Sequence, residues 1–318
     1  MMKDNIPSFI ERMVPMPKAM IIMNPESGKQ KAPDLVEPLQ EILQTDYDSV
    51  HLIQSQSMED LCAWAKQSAT DQYDALFLMG GDGTINAGLN AILPYSTRPT
   101  LGIVPLGTFN NAASMLGFPR NYNQAIQAYQ AVKKQWIDIG QCNQTYFLSS
   151  VAIGPIVESI KQMDSHELAE IGSLDYFKQV LSSLEEGQAQ SYRITKHGQT
   201  QEYQYSLIVL SLGNALLRMQ HLFQDARLDD GLLNLVGLKE STISEKIGLA
   251  TQILNRGVLA NNLIDYDQLE ECQIHLVNST DESHCNLDGD QGPRLPLQIK
   301  VIPRALEVFV PLQAESTH

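Results

Sequence analysis

Apolar positions in the first hundred residues come in two rhythms. Short continuous runs, AMIIMN (residues 19–24), SVHLIQS (49–55), DALFLMG (74–80) and TLGIVPLG (100–107), are bounded by turn formers and predict strands. Between them, DLVEPLQEILQ (34–44), MEDLCAWAKQSA (58–69) and the stretch from Thr84 onward repeat apolar residues every three to four positions and predict helices. Strands separated by helices need crossover connections, so the pattern predicts a mainly parallel sheet covered on both faces. From about Trp136 the rhythm becomes alternation, in YFLSSVAIG (146–154), SYRITKHG (191–198), QEYQYSLIVLSLG (201–213), LLNLVGL (232–238), CQIHLV (272–277) and LQIKVI (297–302). Closely spaced alternating strands predict an antiparallel sandwich or barrel, interrupted here by helical stretches around residues 165–185 and 241–260. The expected fold class is an N-terminal Rossmann-like α/β domain over residues 1–137 followed by a β-rich domain over 138–302.

Three glycine-bearing loops fall after predicted strands of the α/β half: NPESGKQ (24–30), GGDGTIN (80–86) and PLGTFNNAA (105–113). Ligands on parallel sheets bind beyond the carboxyl ends of the strands, so the three loops are expected around one crevice. A Gly-Gly-Asp-Gly turn opening a helix presents backbone N–H groups at the positive end of the helix dipole, which suits a phosphate without any lysine. Asp82 within it must then face a metal ion, a hydroxyl or a partner donor; the bland alternative is that Asp82 or Thr84 simply caps the helix. Thr108 and Asn110 are the expected contacts from the third loop, with Asn111 as a helix cap, and Lys29 and Lys31 lie close to the first. ARLDDGLL (226–233) and NLDGDQG (286–292) each put carboxylates at a turn, where a divalent ion and a plain Asp-Gly turn are both open.

Composition narrows the partners. A formal charge of -15 excludes nonspecific nucleic-acid binding, which needs a field of lysine and arginine, and argues against electrostatic adsorption to anionic membranes. The four cysteines, Cys62, Cys142, Cys272 and Cys285, show no metal-ligand spacing and are expected to be buried or incidental thiols of a reduced cytoplasm. No apolar run approaches the roughly 20 residues that span a bilayer. Ile6, Phe9, Ile10, Met13 and Val14 share one helical face near the N-terminus, which would dock on its own domain or graze a membrane.

Taken together, NPESG, GGDGTIN, LGIVPLGTFNNAASMLGFP, WIDIG, DARLDDGLL, LDGD and PRALEVFVP, in that order, resemble the diacylglycerol kinase catalytic-domain family, which includes bacterial lipid kinases and eukaryotic sphingosine and ceramide kinases. The resemblance implies ATP and Mg²⁺ as cofactors and a lipid hydroxyl as acceptor, met at a membrane surface by a cytoplasmic protein, with the last strand (303–318) returning to the first domain. It assigns nucleotide contacts to Asn24, Pro25, Glu26, Ser27, Gly28, Ser55, Gly80, Gly81, Asp82, Gly83, Thr84, Ile85, Asn86 and Thr108. It makes Asp290 the general base, with Asp82 and Asp138 as supporting carboxylates, and maps a structural magnesium to Asp230 with the backbone carbonyls of Arg227 and Leu232. A homodimer is among the assemblies it allows.

Three positions depart from the family pattern. Asp290 is one methylene shorter than the usual glutamate, Asn111 stands where many members carry aspartate, and NALLRMQHLFQDA (214–226) lacks the glycine pair often found before the acidic turn. Two other readings remain beside the lipid kinase: an NAD kinase, which shares the GGDG turn, and a nucleotide- or lipid-binding protein of weak catalytic power.

Overall fold

The structure, a computed structural model, describes residues 16–30, 32–154, 189–214, 222–223, 225–277 and 283–312. The N-terminal amphipathic segment, Lys31 and the predicted helix at 165–185 lie outside the described residues.

Four parallel strands, β1 (Lys18–Met23), β2 (Ser49–Gln54), β3 (Ala75–Gly80) and β4 (Thr100–Pro105), stand in the order β2-β1-β3-β4. Helices α1 (Val36–Leu43), α2 (Met58–Thr70) and α3 (Asp82–Ile92) connect them, and α4 (Asn111–Met115) and α5 (Tyr122–Gln127) follow β4. β1, β3 and β4 are buried along nearly their whole length, as continuous apolar runs in a doubly covered sheet require. The edge strand β2 alternates partly exposed positions. One core of Ile21, Leu78, Leu89, Ile103, Ile137 and their neighbours fills this half.

The remaining strands pair antiparallel, except where β16 meets β4. β5 (Val132–Cys142), β6 (Thr145–Phe147), β7 (Ser150–Ile153), β8 (Gln190–Lys196), β9 (Gln199–Tyr205), β10 (Leu207–Ser211), β11 (Leu233–Leu238), β12 (Ile264–Leu269), β13 (Glu271–Leu276), β14 (His284–Leu287), β15 (Asp290–Arg294) and β16 (Leu297–Pro311) divide between two sheets. One continues the parallel sheet through β16, β13, β8 and β9, with β5 and β6 alongside; the other runs β12-β11-β10-β7-β14-β15. A second core, with Phe147, Tyr192, Leu210, Leu235, Ile299 and the buried Cys142, Cys272 and Cys285, lies in this half. A third packs α6 (Ile243–Arg256), which a Thr242/Glu245 capping box starts, against Phe223 and Ile264.

β16 joins the halves. Its first part pairs antiparallel with β13, and Val308 pairs parallel with Leu101 of β4, so the last strand does return to the first sheet. β5 runs beside β16 for most of its length, and the expected division between residues 137 and 138 falls inside β5. Two sequence segments that read as single strands are each split: YFLSSVAIG breaks at Leu148 and Ser149, and QEYQYSLIVLSLG breaks at Ser206, each passing from one sheet to the other. Period-2 alternation continues across such a corner, so the pattern alone does not show it.

Glycine size matters where β5 carries the crossing. A Cβ added at Gly140 would lie 2.1 Å from the ring of Phe147, which is fully buried and has no room to yield. Gly140→Ala is expected to destabilise the protein by about 1–3 kcal/mol, the range for overpacking a tight core, read as a lowered midpoint in urea. An unchanged midpoint would mean the Phe147 layer is loosely packed.

Candidate active site

The three glycine-bearing loops converge as the strand order requires, all beyond the carboxyl ends of β1, β3 and β4. Asn24 ties the first to the second: its Nδ2 donates to Thr84 Oγ1 at 3.3 Å, while its Oδ1 accepts from Glu26 N and shapes the turn. The second and third meet backbone to backbone. A Cβ at Gly107 would lie 2.6 Å from Gly81 Cα, and one at Gly81 would lie 3.2 Å from Gly107 Cα, so two glycines are needed for this approach. Gly28, at φ +65°, lies beside Leu106 of the third loop: a Cβ there would lie 3.5 Å from Leu106 Cβ.

Several predicted residues have defined contacts within the protein. The helix opens at Asp82 with Gly81 as its N-cap, two residues earlier than the periodicity indicates and without a side-chain cap. Ile85 is buried in the first core and its N–H donates to Gly81 O at 3.1 Å, so it holds the turn from behind. The Ser55 hydroxyl donates to Met23 O, fixing the end of β2. Asn110 adopts a left-handed conformation, and its side chain forms a reciprocal pair with the Gly107 backbone at 2.7 and 2.8 Å. Asn111 is not a cap: it sits in the first turn of α4, buried, with its Oδ1 lacking a hydrogen-bond partner. Pro25, Glu26, Ser27 and Thr108 line the loops at partly or fully exposed positions, and Gly80 and Gly83 complete the turn.

Asp82 meets partner donors. The backbone amides of Ala112, Asn110 and Asn111 at the start of α4 hold its carboxylate, yet burial and then the Asp288 charge push its pKa from an ordinary 3.8 up to about 7. Between about pH 4 and pH 7 the folded state therefore holds a proton that the unfolded state has released, so stability falls as pH rises through that window. The roughly three-unit shift corresponds to up to about 4 kcal/mol. We expect urea midpoints of the ligand-free protein to fall between pH 4.5 and 7.5, and Asp82→Asn to flatten that slope; an equal slope in both proteins would place Asp82 in a more polar setting.

The second half of the chain supplies the remaining carboxylates. β14 and β15 form a hairpin whose two-residue turn is Asp288-Gly289, both at positive φ, as an Asp-Gly turn favours. Asp288 is buried and accepts from Leu148 N (2.7 Å), Ser149 N (2.8 Å), Ser149 Oγ (2.8 Å), Ser150 N (2.9 Å) and Asn86 Nδ2 (3.0 Å). Asp290, the next residue but one, is exposed and overhangs the glycine turn: a Cβ at Gly83 would lie 2.7 Å from its Oδ2. Two residues distant by about two hundred positions in sequence thus share one spot.

Asp138 is held at the acidic turn. Its Oδ2 accepts from Gly231 N at 2.6 Å, its Oδ1 accepts from Arg304 N at 2.8 Å, and its own N–H donates to Leu228 O. It fastens the acidic turn to the bulge of β16, where Arg304 has φ +46°. In that turn Asp230 Oδ2 accepts from Arg227 N and Oδ1 from Leu232 N, so the three residues assigned to a metal are gathered around one carboxylate. Among the described residues no group of three or more His, Cys, Asp or Glu side chains is placed to hold a metal. A carboxylate with peptide carbonyls is nonetheless a hard oxygen donor set of the kind magnesium takes, with water completing the shell.

Asp288 carries the site without having been singled out in the sequence; the signal was there in the Asp-Gly dipeptide between two alternating runs. Asn90, one helical turn after Asn86, was missed as well.

The chain is similar to known proteins along most of its length. Residues 18–142 match the profile of the diacylglycerol kinase catalytic domain, and residues 149–310 match that of the YegS C-terminal NAD kinase beta sandwich-like domain. The chain is 31% identical to a diacylglycerol kinase of Bacillus subtilis (strain 168) over 93% of this chain and 97% of that protein. It is 26% identical to one of Staphylococcus carnosus (strain TM300), over 94% and 97%. Two crystal structures from Bacillus anthracis (strain Sterne) superpose with TM-scores of 0.80 and 0.74, at 22% and 20% identity, each over 94% of this chain and 98% of the other. The second is described as a diacylglycerol kinase, and at these identities both show the fold.

Proposed function

The chain belongs to the diacylglycerol kinase catalytic-domain family, and from that premise we propose that it is an ATP-dependent lipid kinase that phosphorylates a hydroxyl group of a diacylglycerol-like acceptor. The observation that carries this reading is the placement of Asp290 over Gly83, which sets a carboxylate beside a glycine turn built for phosphate.

The residues divide the work between binding and proton transfer. Bound ATP supplies the γ-phosphoryl group, and magnesium neutralises charge developing on it. Helix geometry leaves the first N–H groups of α3 without intrahelical acceptors, and these suit phosphate oxygens. Gly81 and Gly107 let backbone come close, while Asn24 and Thr84 steady the cleft between the first two loops. Asp290 takes the proton from the acceptor hydroxyl as its oxygen bonds to phosphorus, and the leaving ADP oxygen departs on the opposite side. Asp230 with the carbonyls of Arg227 and Leu232 is the proposed magnesium turn, held in place by Asp138 and serving the fold of the second half. Among the described residues no helix is long and apolar enough to cross a membrane.

One acceptor experiment tests the proposal. The protein is incubated with γ-labelled ATP and magnesium in a total lipid extract that also contains NAD, and products are separated by chromatography. Label in a lipid supports the reading; label in NAD moves the chain to NAD kinase chemistry, and label in neither favours a binding protein.

A further inference from the structure

Outside the loops, α3 carries two asparagines that reach across to the β-rich half. Asn90 forms a reciprocal pair with the backbone of Tyr146: its Nδ2 donates to Tyr146 O at 3.0 Å, and Tyr146 N donates to its Oδ1 at 2.8 Å. That side chain imitates one rung of a β ladder between a helix and the short strand β6. Asn90 Nδ2 also lies 2.9 Å from Asn86 O and 3.0 Å from Asn86 Oδ1, which orients Asn86. Asn86 Nδ2 in turn donates to Tyr146 O at 3.2 Å and to Asp288 Oδ2 at 3.0 Å.

The consequences run along the chain. Leu148, Ser149 and Ser150 begin two residues after Tyr146, and their amides grip Asp288. Asp288 and Gly289 form the turn that delivers Asp290, whose Oδ2 overhangs Gly83. Gly83 lies in the first turn of α3, the same helix that bears Asn86 and Asn90. The path from α3 through Tyr146 and Asp288 to Asp290 therefore returns to α3: as far as Asp290 each link is a hydrogen bond or a short piece of backbone, and the last is the close approach of Asp290 Oδ2 to Gly83.

We propose that Asn90 is a positioning residue for phosphoryl transfer: it docks β6 on α3 and so sets the distance between Asp290 and the phosphate-binding turn. This rests on the lipid-kinase reading for what is transferred, but the docking itself does not. Asn90 touches no reacting atom; it acts through Tyr146 and Asp288. An amide is needed because the Tyr146 backbone presents one donor and one acceptor, and asparagine answers both.

Two variants and two readouts test it. Asn90→Leu removes both bonds at similar size, and Asn90→Asp keeps the acceptor for Tyr146 N but sets an oxygen against Tyr146 O. Hydrogen exchange on the ligand-free protein is expected to show the amides of residues 146 and 148–150 losing protection by about tenfold or more in both variants, while β1 and β3 keep theirs. Unchanged protection at those amides overturns the proposal, whatever the activity. In transfer from labelled ATP to lipid extract, kcat should fall by about ten- to a hundredfold, as a shift near 1 Å does, with KM for ATP within about twofold. In an Asp290→Asn background, Asn90→Leu should add less than about a twofold further loss, since the positioned group is already gone. A loss of equal size in both backgrounds marks Asn90 as merely structural and also overturns the proposal. Absence of transfer by the unaltered protein to any lipid counts against the lipid-kinase reading, and the exchange measurement still decides the docking.

Discussion

Replacing Asp290 by asparagine is expected to lower phosphoryl transfer by about 10²- to 10⁴-fold, the range that a positioned general base contributes, while leaving ATP binding within about twofold. The side chain is exposed and belongs to a two-residue hairpin turn's flank, so an isosteric amide should fold as before. Its Oδ2 sits where a side chain at Gly83 would be, close enough to the glycine turn to meet an acceptor bound there. Asparagine keeps that shape and loses the charge and the capacity to take a proton. Asp290→Glu is the matching control: it keeps the carboxylate and adds one methylene, so it should retain far more transfer than Asp290→Asn. Steady-state kinetics on both variants, with ATP affinity measured separately, check this. Equal rates for Asp290→Asn and the unaltered protein would remove Asp290 as the base.

Asp288→Ala is expected to have the largest effect on stability. Five donors converge on that buried carboxylate, and three of them are consecutive backbone amides that no other group nearby is shown to satisfy. Removing the acceptor strands them away from water, at roughly 1–3 kcal/mol for each unsatisfied group and more where a charge took part. Relaxation and entering water will recover some of this, so a net loss of about 3–5 kcal/mol is expected. For a chain of this size that lowers the melting temperature by about 10 °C, and transfer should be abolished because the turn bearing Asp290 is no longer held. A melting temperature within about 2 °C of the unaltered protein would contradict the role given to Asp288. Asp288→Asn should fall between the two, since it keeps one acceptor oxygen.

The architecture was legible because strand and helix rhythms are local. The buried runs of β1, β3 and β4 and the spacing of their loops placed the crevice before any coordinate did, as a parallel sheet must. Glycine roles were legible too, although the reason differs between positions: Gly28 needs a positive φ, whereas Gly81 and Gly107 need the absence of a side chain. What the pattern concealed were contacts between segments remote in sequence. Asp82 was read as facing a metal ion, a hydroxyl or a partner donor, or as a cap; its partner donors come from the start of α4, some thirty positions on, which no local pattern shows. The contacts of Asp138, which ties Gly231 to Arg304, were hidden as well, because β5 and β16 pair across a bulge that no periodicity announces. Asn86, assigned to nucleotide, also donates to Asp288, and Asn90 in the same helix donates to Tyr146 O; the two asparagines were the local hint that α3 docks on something polar.

The central claim is that a carboxylate from the β-rich half acts at the glycine turn of the α/β half to phosphorylate a lipid hydroxyl. Its most direct test is incubation of the full chain with γ-labelled ATP, magnesium and mixed micelles containing diacylglycerol, beside Asp290→Asn under the same conditions. The account predicts label in the phosphorylated lipid with the unaltered protein and almost none with the variant. Label appearing in the lipid equally with both proteins, or remaining in ATP and inorganic phosphate with both across a panel of lipid acceptors, would contradict it.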